Sequence, residues 1–431
     1  MRIELAEAYR DTELGSEGRD LISSCVQCGQ CTFICPTFRL LDDEWDGPRG
    51  RIFLIQNLLE GKEPSKDFLH PAYTLDTLGE AGTYAAKVRH RLDRCLTCRS
   101  CEAACPQGVR YGRLLDIGRE LAERAAPRPV RERAWRWGLR RVLTRRPLFT
   151  ALLRVGQALR PRLPDQLRER IPAPRRAGDW PERPHGRTML VWQGCVQPAL
   201  APDINAAAAR VLDRLGIRLL PASDGCCGAL SQHMSAMEEA REHMRRNIDL
   251  LWPHVEDGIE AIVLTASGCG AFFREYGHLL QNDPRYRDKA ARISGMVRDI
   301  AEIVAKEWSE ATVLPITDQP PRVVFQSSCS LQHSQRLNGV VEKLLKRAGF
   351  KLLPVTYPFM CCGSAGSYSI LQRDLSLSLR EAKLKTLLAG RPQAIATANI
   401  GCLAHLSAVS PVPVNHWIEL LDERFAETVP T

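Results

Sequence analysis

No stretch of this chain approaches the ~18 consecutive apolar residues that a membrane-spanning helix needs; the longest obvious candidate is the short AIVLTA at 261–266. There is no G-x-G-x-x-G after a strand, no Walker loop and no nucleophile elbow, so the chain itself shows no flavin or nicotinamide site. The opening segment MRIELAEAYRDTELGSEGRD carries acidic residues and no apolar h-region, so a cytoplasmic location is expected and a disulfide framework is not. The net charge of +9 is not spread along the chain. Residues 128–176 hold fifteen arginines and no lysine against Glu132, Asp165 and Glu169, which is +12 and leaves about −3 for the rest. A local basic segment without aromatic stacking platforms argues against nucleic acid as a partner.

What the chain does have is cysteine, sixteen in 431 residues, a length that suits two or three domains. Two runs, CVQCGQCTFICP at 25–36 and CLTCRSCEAACP at 95–106, both read C-x-x-C-x-x-C-x-x-x-C-P. Three thiolates two residues apart can wrap one corner of an iron-sulfur cube. The fourth, set off by three residues and a proline turn, points away and serves the other cluster. The spacing therefore predicts one [4Fe-4S] cluster on Cys25, Cys28, Cys31 and Cys105 and a second on Cys95, Cys98, Cys101 and Cys35. Structural zinc is the competing reading, but all eight cysteines fit the cluster pattern, whereas zinc asks only for paired C-x-x-C.

Around these runs the pattern is helical. Residues 1–24 read as a helical lead-in, IFLIQNLLEG as a helix closed by Gly61, and GVRYGRLLDIGRELAERAA as a helix with apolar residues at helical spacing. Residues 63–91 read as loop plus helix without identifiable chemistry. Arg49 and Arg51, in the DGPRGR loop, are expected near the first cluster, where positive charge would raise its potential; a solvated turn is the alternative. A helical domain with two clusters over residues 1–125 results.

Residues 126–186 form an arginine-rich linker broken by Pro129, Pro147, Pro161, Pro164 and Pro172 into short amphipathic helices. Trp135, Trp137, Leu148, Leu152 and their neighbours beside the arginines make the composition of an interfacial helix on an anionic leaflet, hence a peripheral membrane expectation; an apolar face packed on the protein itself is the alternative.

From residue 187 the chain repeats itself at an offset of about 134 residues. RTMLVWQGC at 187–195 matches PRVVFQSSC at 321–329, DGCCG at 224–228 matches FMCCG at 359–363, and EAIVLTASGCG at 260–270 matches QAIATANIGCL at 393–403. Short apolar strands alternating with amphipathic helices predict a parallel sheet in each copy, 187–315 and 316–431, with Cys195, Cys226, Cys227 and Cys269 in one and Cys329, Cys361, Cys362 and Cys402 in the other just beyond the strands. A cluster in each copy, one shared cluster, a zinc or dithiol site, and buried cysteines acting as small hydrophobes all stay open. His233, His333 and His405 lie near these cysteines in sequence and read as hydrogen-bonding or core residues rather than ligands. The fold class expected is α+β multidomain: a helical ferredoxin-like domain followed by a duplicated α/β Cys-Cys-Gly domain.

The segments CVQCGQCTFICPTFRLLDDEWDGPRGRIFLIQNLLEG and HRLDRCLTCRSCEAACPQGVRYGRLLDIGRELAE, with the two Cys-Cys-Gly domains, resemble the iron-sulfur subunits of glycolate oxidases across nearly the whole chain. More distant likeness runs to iron-sulfur subunits of anaerobic glycerol-3-phosphate dehydrogenase, to lactate-utilisation proteins and to heterodisulfide reductase subunits. The resemblance implies an electron-transfer subunit with no substrate-oxidising site of its own. FAD would sit on partner glycolate oxidase subunits that convert glycolate to glyoxylate, and electrons would pass to a membrane quinone. The cysteine pair C-x-x-C that ends the Cys-Cys-Gly domains of heterodisulfide reductase has Ala266 and Asn399 at its first position here, which sets five-thiolate clusters and thiol-disulfide chemistry in doubt.

Overall fold

A computed structural model describes residues 1–62, 83–164, 168, 171–222, 225–309, 314 and 319–427. Most of the loop expected after residue 62, and the boundary expected between residues 315 and 316, lie outside them. Close contacts divide the chain into two units: Met1–Arg136 with His233–Ser235 and Phe359–Leu379, and Trp137–Gln232 with Ala236–Pro358 and Arg380–Thr431.

The first unit is helical. Thr12 caps Glu13–Ser23 by accepting from Gly15 N, Pro48 opens Pro48–Glu60, and Thr83 caps Tyr84–Asp93, so three helix starts are set by residues that satisfy or dispense with the first amides. With Tyr111–Ala125 these helices bury Ile22, Leu54, Ile55, Leu59, Val88, Leu92, Leu114, Leu115, Ile117 and Leu121 in one core. The linker is more regular than its prolines suggested. Val130–Leu143 and Arg146–Leu159 are helices of 14 residues each, and Pro147 sits in the first turn of the second, where a missing N–H costs nothing.

The second unit carries the repeat as two four-stranded parallel sheets. The first runs in the order β2-β1-β3-β4, with β1 Arg187–Val191, β2 Ile217–Pro221, β3 Ile262–Leu264 and β4 Val297–Asp299; the second in the order β6-β5-β7-β8, with β5 Arg322–Gln326, β6 Lys351–Leu353, β7 Ala394–Thr397 and β8 Val414–His416. The chain leaves β1 for β2 on one side and returns to β3 on the other, so the order reverses at β1 and β3, where open α/β sheets form a crevice beyond the strand ends. Leu190, Trp192, Met244, Ile248, Ile262, Leu264, Phe272 and Phe273 fill the core beside the first sheet.

The copies interlock through equivalent residues. β4 ends in Asp299 and β8 in His416, and both cap the next helix in a capping box, with Glu302 and Glu419 reaching back. Asp299 Oδ2 accepts from Gln335 Nε2 of the second copy at 3.0 Å, and His416 Nε2 lies 2.9 Å from Thr265 O of the first. His416 Nδ1 accepts from Ile418 N, so Nε2 carries the proton.

These caps predict a masked pH dependence. Burial lowers His416 to about 4, so stability is present above the unfolded value near 6.5 and is lost as pH falls towards 4. Burial raises Asp299 to about 6, so its contribution is full below about 4 and is lost as pH rises through 6. Each amounts to about 3 kcal/mol, and between pH 4 and 6 they oppose. In urea unfolding across that window, D299N is expected to lose stability on acidification and H416N to lose it on alkalinisation, with the unchanged protein flatter than either. Parallel slopes for both variants would contradict this.

Candidate metal centres

The two cysteine runs fold as conformational copies. Gln27 and Gly29 in one, Thr97 and Arg99 in the other, take left-handed backbone, and each run then makes a four-residue helix, Gln30–Phe33 or Ser100–Ala103. These turns swing the three near cysteines to one side. After the first run Cys35 leads into the helix Pro36–Leu41. Cys25, Cys28, Cys31 and Cys105 line one cavity with Pro48, Arg49 and Tyr111. Cys35, Cys95, Cys98 and Cys101 line a second with Arg51, Thr97 and Tyr111, and Cys101 also reaches the first. The first wall thus takes three thiols from the first run and two, Cys101 and Cys105, from the second, and the second wall takes three from the second run and one, Cys35, from the first.

Arg51 stands elsewhere than expected. Arg49 lines the first cavity, but two residues along a helix is a rotation of about 200°, and Arg51 faces the second.

The donor sets suit a multiply charged cation core. Burial, then the neighbouring Cys25 and Cys105, push the Cys31 thiol up to about 11. Burial, then Cys98, Cys95 and Cys35, push Cys101 well above the ordinary thiol range. Cys31 and Cys101, raised first by burial and then by neighbouring sulfurs, would give up their protons to bind a cationic cluster. Thr97 N donates to Cys95 Sγ at 3.4 Å, a bond that stabilises negative sulfur. Among the described residues no three Cys, His, Asp or Glu side chains close on a single point as one metal ion would require; the quartets instead line the walls of cavities.

In the first Cys-Cys-Gly copy, Cys195, Cys226, Cys227 and Cys269 meet beyond β1, β2 and β3. Cys226 is raised well above its ordinary value by hydrogen bonding with Cys195 and Cys227 and by burial, and Cys269 by bonding with Cys227 and by burial. Sequence reading missed the groups that hold this loop. Tyr276 Oη donates to Cys227 O at 2.5 Å and accepts from Asn247 Nδ2, which also donates to Cys226 O at 2.8 Å. Asn247, buried among Met244, Ile248 and Leu251 on Met237–Glu256, was the available signal, a polar residue on an apolar face. In the second copy Cys329 and Cys402 belong to the second unit and Cys361 and Cys362 to the first. Gly363 N donates to Cys361 Sγ at 3.4 Å, as Gly228 N does to Cys226 Sγ, and Asn399 Nδ2 lies 3.9 Å from Cys402 Sγ. His233, His333 and His405 are half-buried, and Arg380 donates to the His405 carbonyl.

Comparison with known proteins agrees with this architecture. Residues 21–109 match the family described as 4Fe-4S dicluster domain, and residues 189–274 and 323–407 each match the Cysteine-rich domain family. The chain is 45% identical over 425 residues to the glycolate oxidase iron-sulfur subunit of Escherichia coli K12, covering 98% of this chain and 99% of that one. The chain belongs to the glycolate oxidase iron-sulfur subunit family. A probable glycolate oxidase iron-sulfur subunit of Bacillus subtilis 168 is 28% identical over 89% of this chain and 88% of its own length. Lactate utilization protein A of an Exiguobacterium species is 24% identical, covering 53% of this chain and 94% of its own. As a member of the family the protein is an oxidoreductase iron-sulfur subunit, an α+β multidomain chain built from a dicluster domain and a duplicated cysteine-rich domain. No helix among the described residues is long and apolar enough to cross a membrane.

Proposed function

We propose that this chain relays electrons, one at a time, from FAD on a partner subunit that oxidises glycolate to glyoxylate towards a membrane quinone. The observation that carries the relay is the pair of adjoining cysteine cavities, which share Cys101 and Tyr111 on their walls. In this reading Cys25, Cys28, Cys31 and Cys105 hold one [4Fe-4S] cluster and Cys95, Cys98, Cys101 and Cys35 the other. Bound there, the clusters supply one-electron steps between a two-electron flavin and a two-electron quinone. Cys195, Cys226, Cys227 and Cys269 form a further iron-sulfur or metal centre; Cys329, Cys361, Cys362 and Cys402 are assigned likewise from sequence register alone. The chain is divided into 1–125, 126–186, 187–315 and 316–431.

The chain is also read as peripheral on the cytoplasmic face of the membrane. Support comes from Arg146–Leu159, which buries no residue and exposes Leu148, Leu152, Val155 and Leu159 at spacings of four, three and four, one apolar stripe beside exposed Arg145 and Arg154.

The test is quinone-analogue reduction in membranes of the source cell, with and without this gene, offering glycolate, D-lactate, L-lactate and glycerol-3-phosphate separately. Loss confined to the glycolate rate is expected. Loss of another donor's rate would keep the relay and overturn the glycolate assignment. The chain should sediment with these membranes at low salt and leave them at high salt.

A further inference from the structure

Two guanidiniums lie buried around the second cavity, Arg51 on its wall and Arg119 on the cysteine loop that lines it, and their charge is incompletely answered by protein. Arg51 is fully buried and lines that cavity. It donates Nη1 to Thr37 Oγ1 at 3.1 Å, and that hydroxyl is 3.3 Å from Cys35 Sγ. Its carboxylate partner is Asp46, at 3.1 Å, but Asp46 is shared with Arg91 at 2.5 Å and Arg94 at 2.9 Å, and with Asp43 on Arg91 at 2.6 Å two carboxylates face three guanidiniums. Arg119, 5% exposed, clasps the cluster loop itself. Nη2 donates to Cys95 O and Leu92 O, and Nη1 to Thr97 Oγ1, all neutral acceptors. Among the described residues no carboxylate is ion-paired with Arg119; Asp93, on which it acts electrostatically, is paired directly with Arg128 and Arg136 instead.

A buried, unpaired guanidinium is costly unless an anion is close by. Four thiolates around a [4Fe-4S]2+ core carry two net negative charges, and one more on reduction. At the first cavity the cations are more exposed: the Arg49 side chain is 43% exposed and paired with Glu44, and the Met1 amino group, which donates to Cys25 O at 2.8 Å, is only part-buried. Charges facing water are screened; buried ones are not.

We infer that Arg51 and Arg119 serve as the counter-charge of the second cubane and set its reduction potential above that of the first, making it the electron-accepting member of the pair. The step is [4Fe-4S]2+ plus one electron to [4Fe-4S]1+, with no bond made or broken and no proton taken. The reduced flavin of the partner subunit provides the electron in turnover, and dithionite does so in the assay. Both arginines are positioning residues for this step. The inference rests on the ligand assignment proposed above.

The experiment is an anaerobic redox titration of the full chain followed by electron paramagnetic resonance, with Cys98→Ser used to identify the second cluster's signal. R119Q and R51Q are each expected to make the second cluster about tenfold harder to reduce, a midpoint shift of about 59 mV for one electron, and to leave the first in place. R119K, which keeps the charge, should restore most of the shift; a purely structural clasp would be rescued no better by lysine than by glutamine. If R51Q does not fold, the R119Q and R119K pair decides. An unmoved second midpoint in R119Q, or a shift of the first cluster instead, overturns the inference while the ligand assignment stands. Fewer than two cubanes in the unchanged protein removes the assignment and the inference with it.

Discussion

Cys35→Ser is expected to extinguish the same cluster signal as Cys98→Ser, and Cys105→Ser the same signal as Cys28→Ser, although each pair straddles the two runs. Cys35 follows its run by four residues, leads into a proline-started helix and faces the cavity walled by Cys95, Cys98 and Cys101. Cys105 does the reverse. A serine hydroxyl is a poor iron ligand at neutral pH, so each replacement should cost one cube. Iron and acid-labile sulfide from the dicluster domain would fall from about eight of each to about four. Electron delivery to quinone should drop to background, while a dye that accepts directly from the flavin still turns over. If Cys35→Ser instead removes the signal that Cys28→Ser removes, the ligands do not cross. Loss of the dye reaction as well would mean that the chain is needed for assembly of the complex.

The parts of this molecule that were legible in sequence are those written in short periods. Two cysteine runs, helical spacing in GVRYGRLLDIGRELAERAA and the 134-residue echo between RTMLVWQGC and PRVVFQSSC reflect constraints that act within one element, and the helices and parallel strands follow them. What was not legible depends on rotation or on distance along the chain. Arg51 was placed with Arg49 because they are neighbours, yet the helix turns them to different cavities. Pro147 looked like a break and is a helix start. Tyr276 lies 49 residues from the carbonyl it bonds, and Tyr368 donates to Arg94 O at 3.0 Å across 274 residues, within the helical unit to which Phe359–Leu379 belongs. No local pattern encodes such pairings, because the element supplying the partner could have come from anywhere in the chain.

The second large effect concerns the glycine after each cysteine pair. Gly228 and Gly363 both have positive φ, +98° and +88°, and both turn their amide onto the sulfur of the first cysteine at 3.4 Å. Alanine in that region costs about 1–2 kcal/mol in either copy. The space around the added methyl differs. At Gly228 a Cβ would meet Ala240 O at 3.1 Å and Phe272 at 3.2 Å, contacts that relax by a few tenths of an ångström. At Gly363 it would lie 2.4 Å from Ser376 O and 3.0 Å from Leu379 Cβ. Ser376 belongs to the helix Arg373–Leu388, and its hydroxyl already donates to Gly363 O at 2.8 Å, so neither backbone can withdraw without breaking the bond that seats the loop. Overpacking against backbone adds about 1–3 kcal/mol or more. G363A should therefore be the more destabilised variant by about 2 kcal/mol, read as a lower urea midpoint and a poorer yield of folded protein, and G228A should remain preparable. Equal midpoints would mean that the loop after Cys362 moves off its helix at little cost, and that the strict packing at Gly363 does not hold the pair in place.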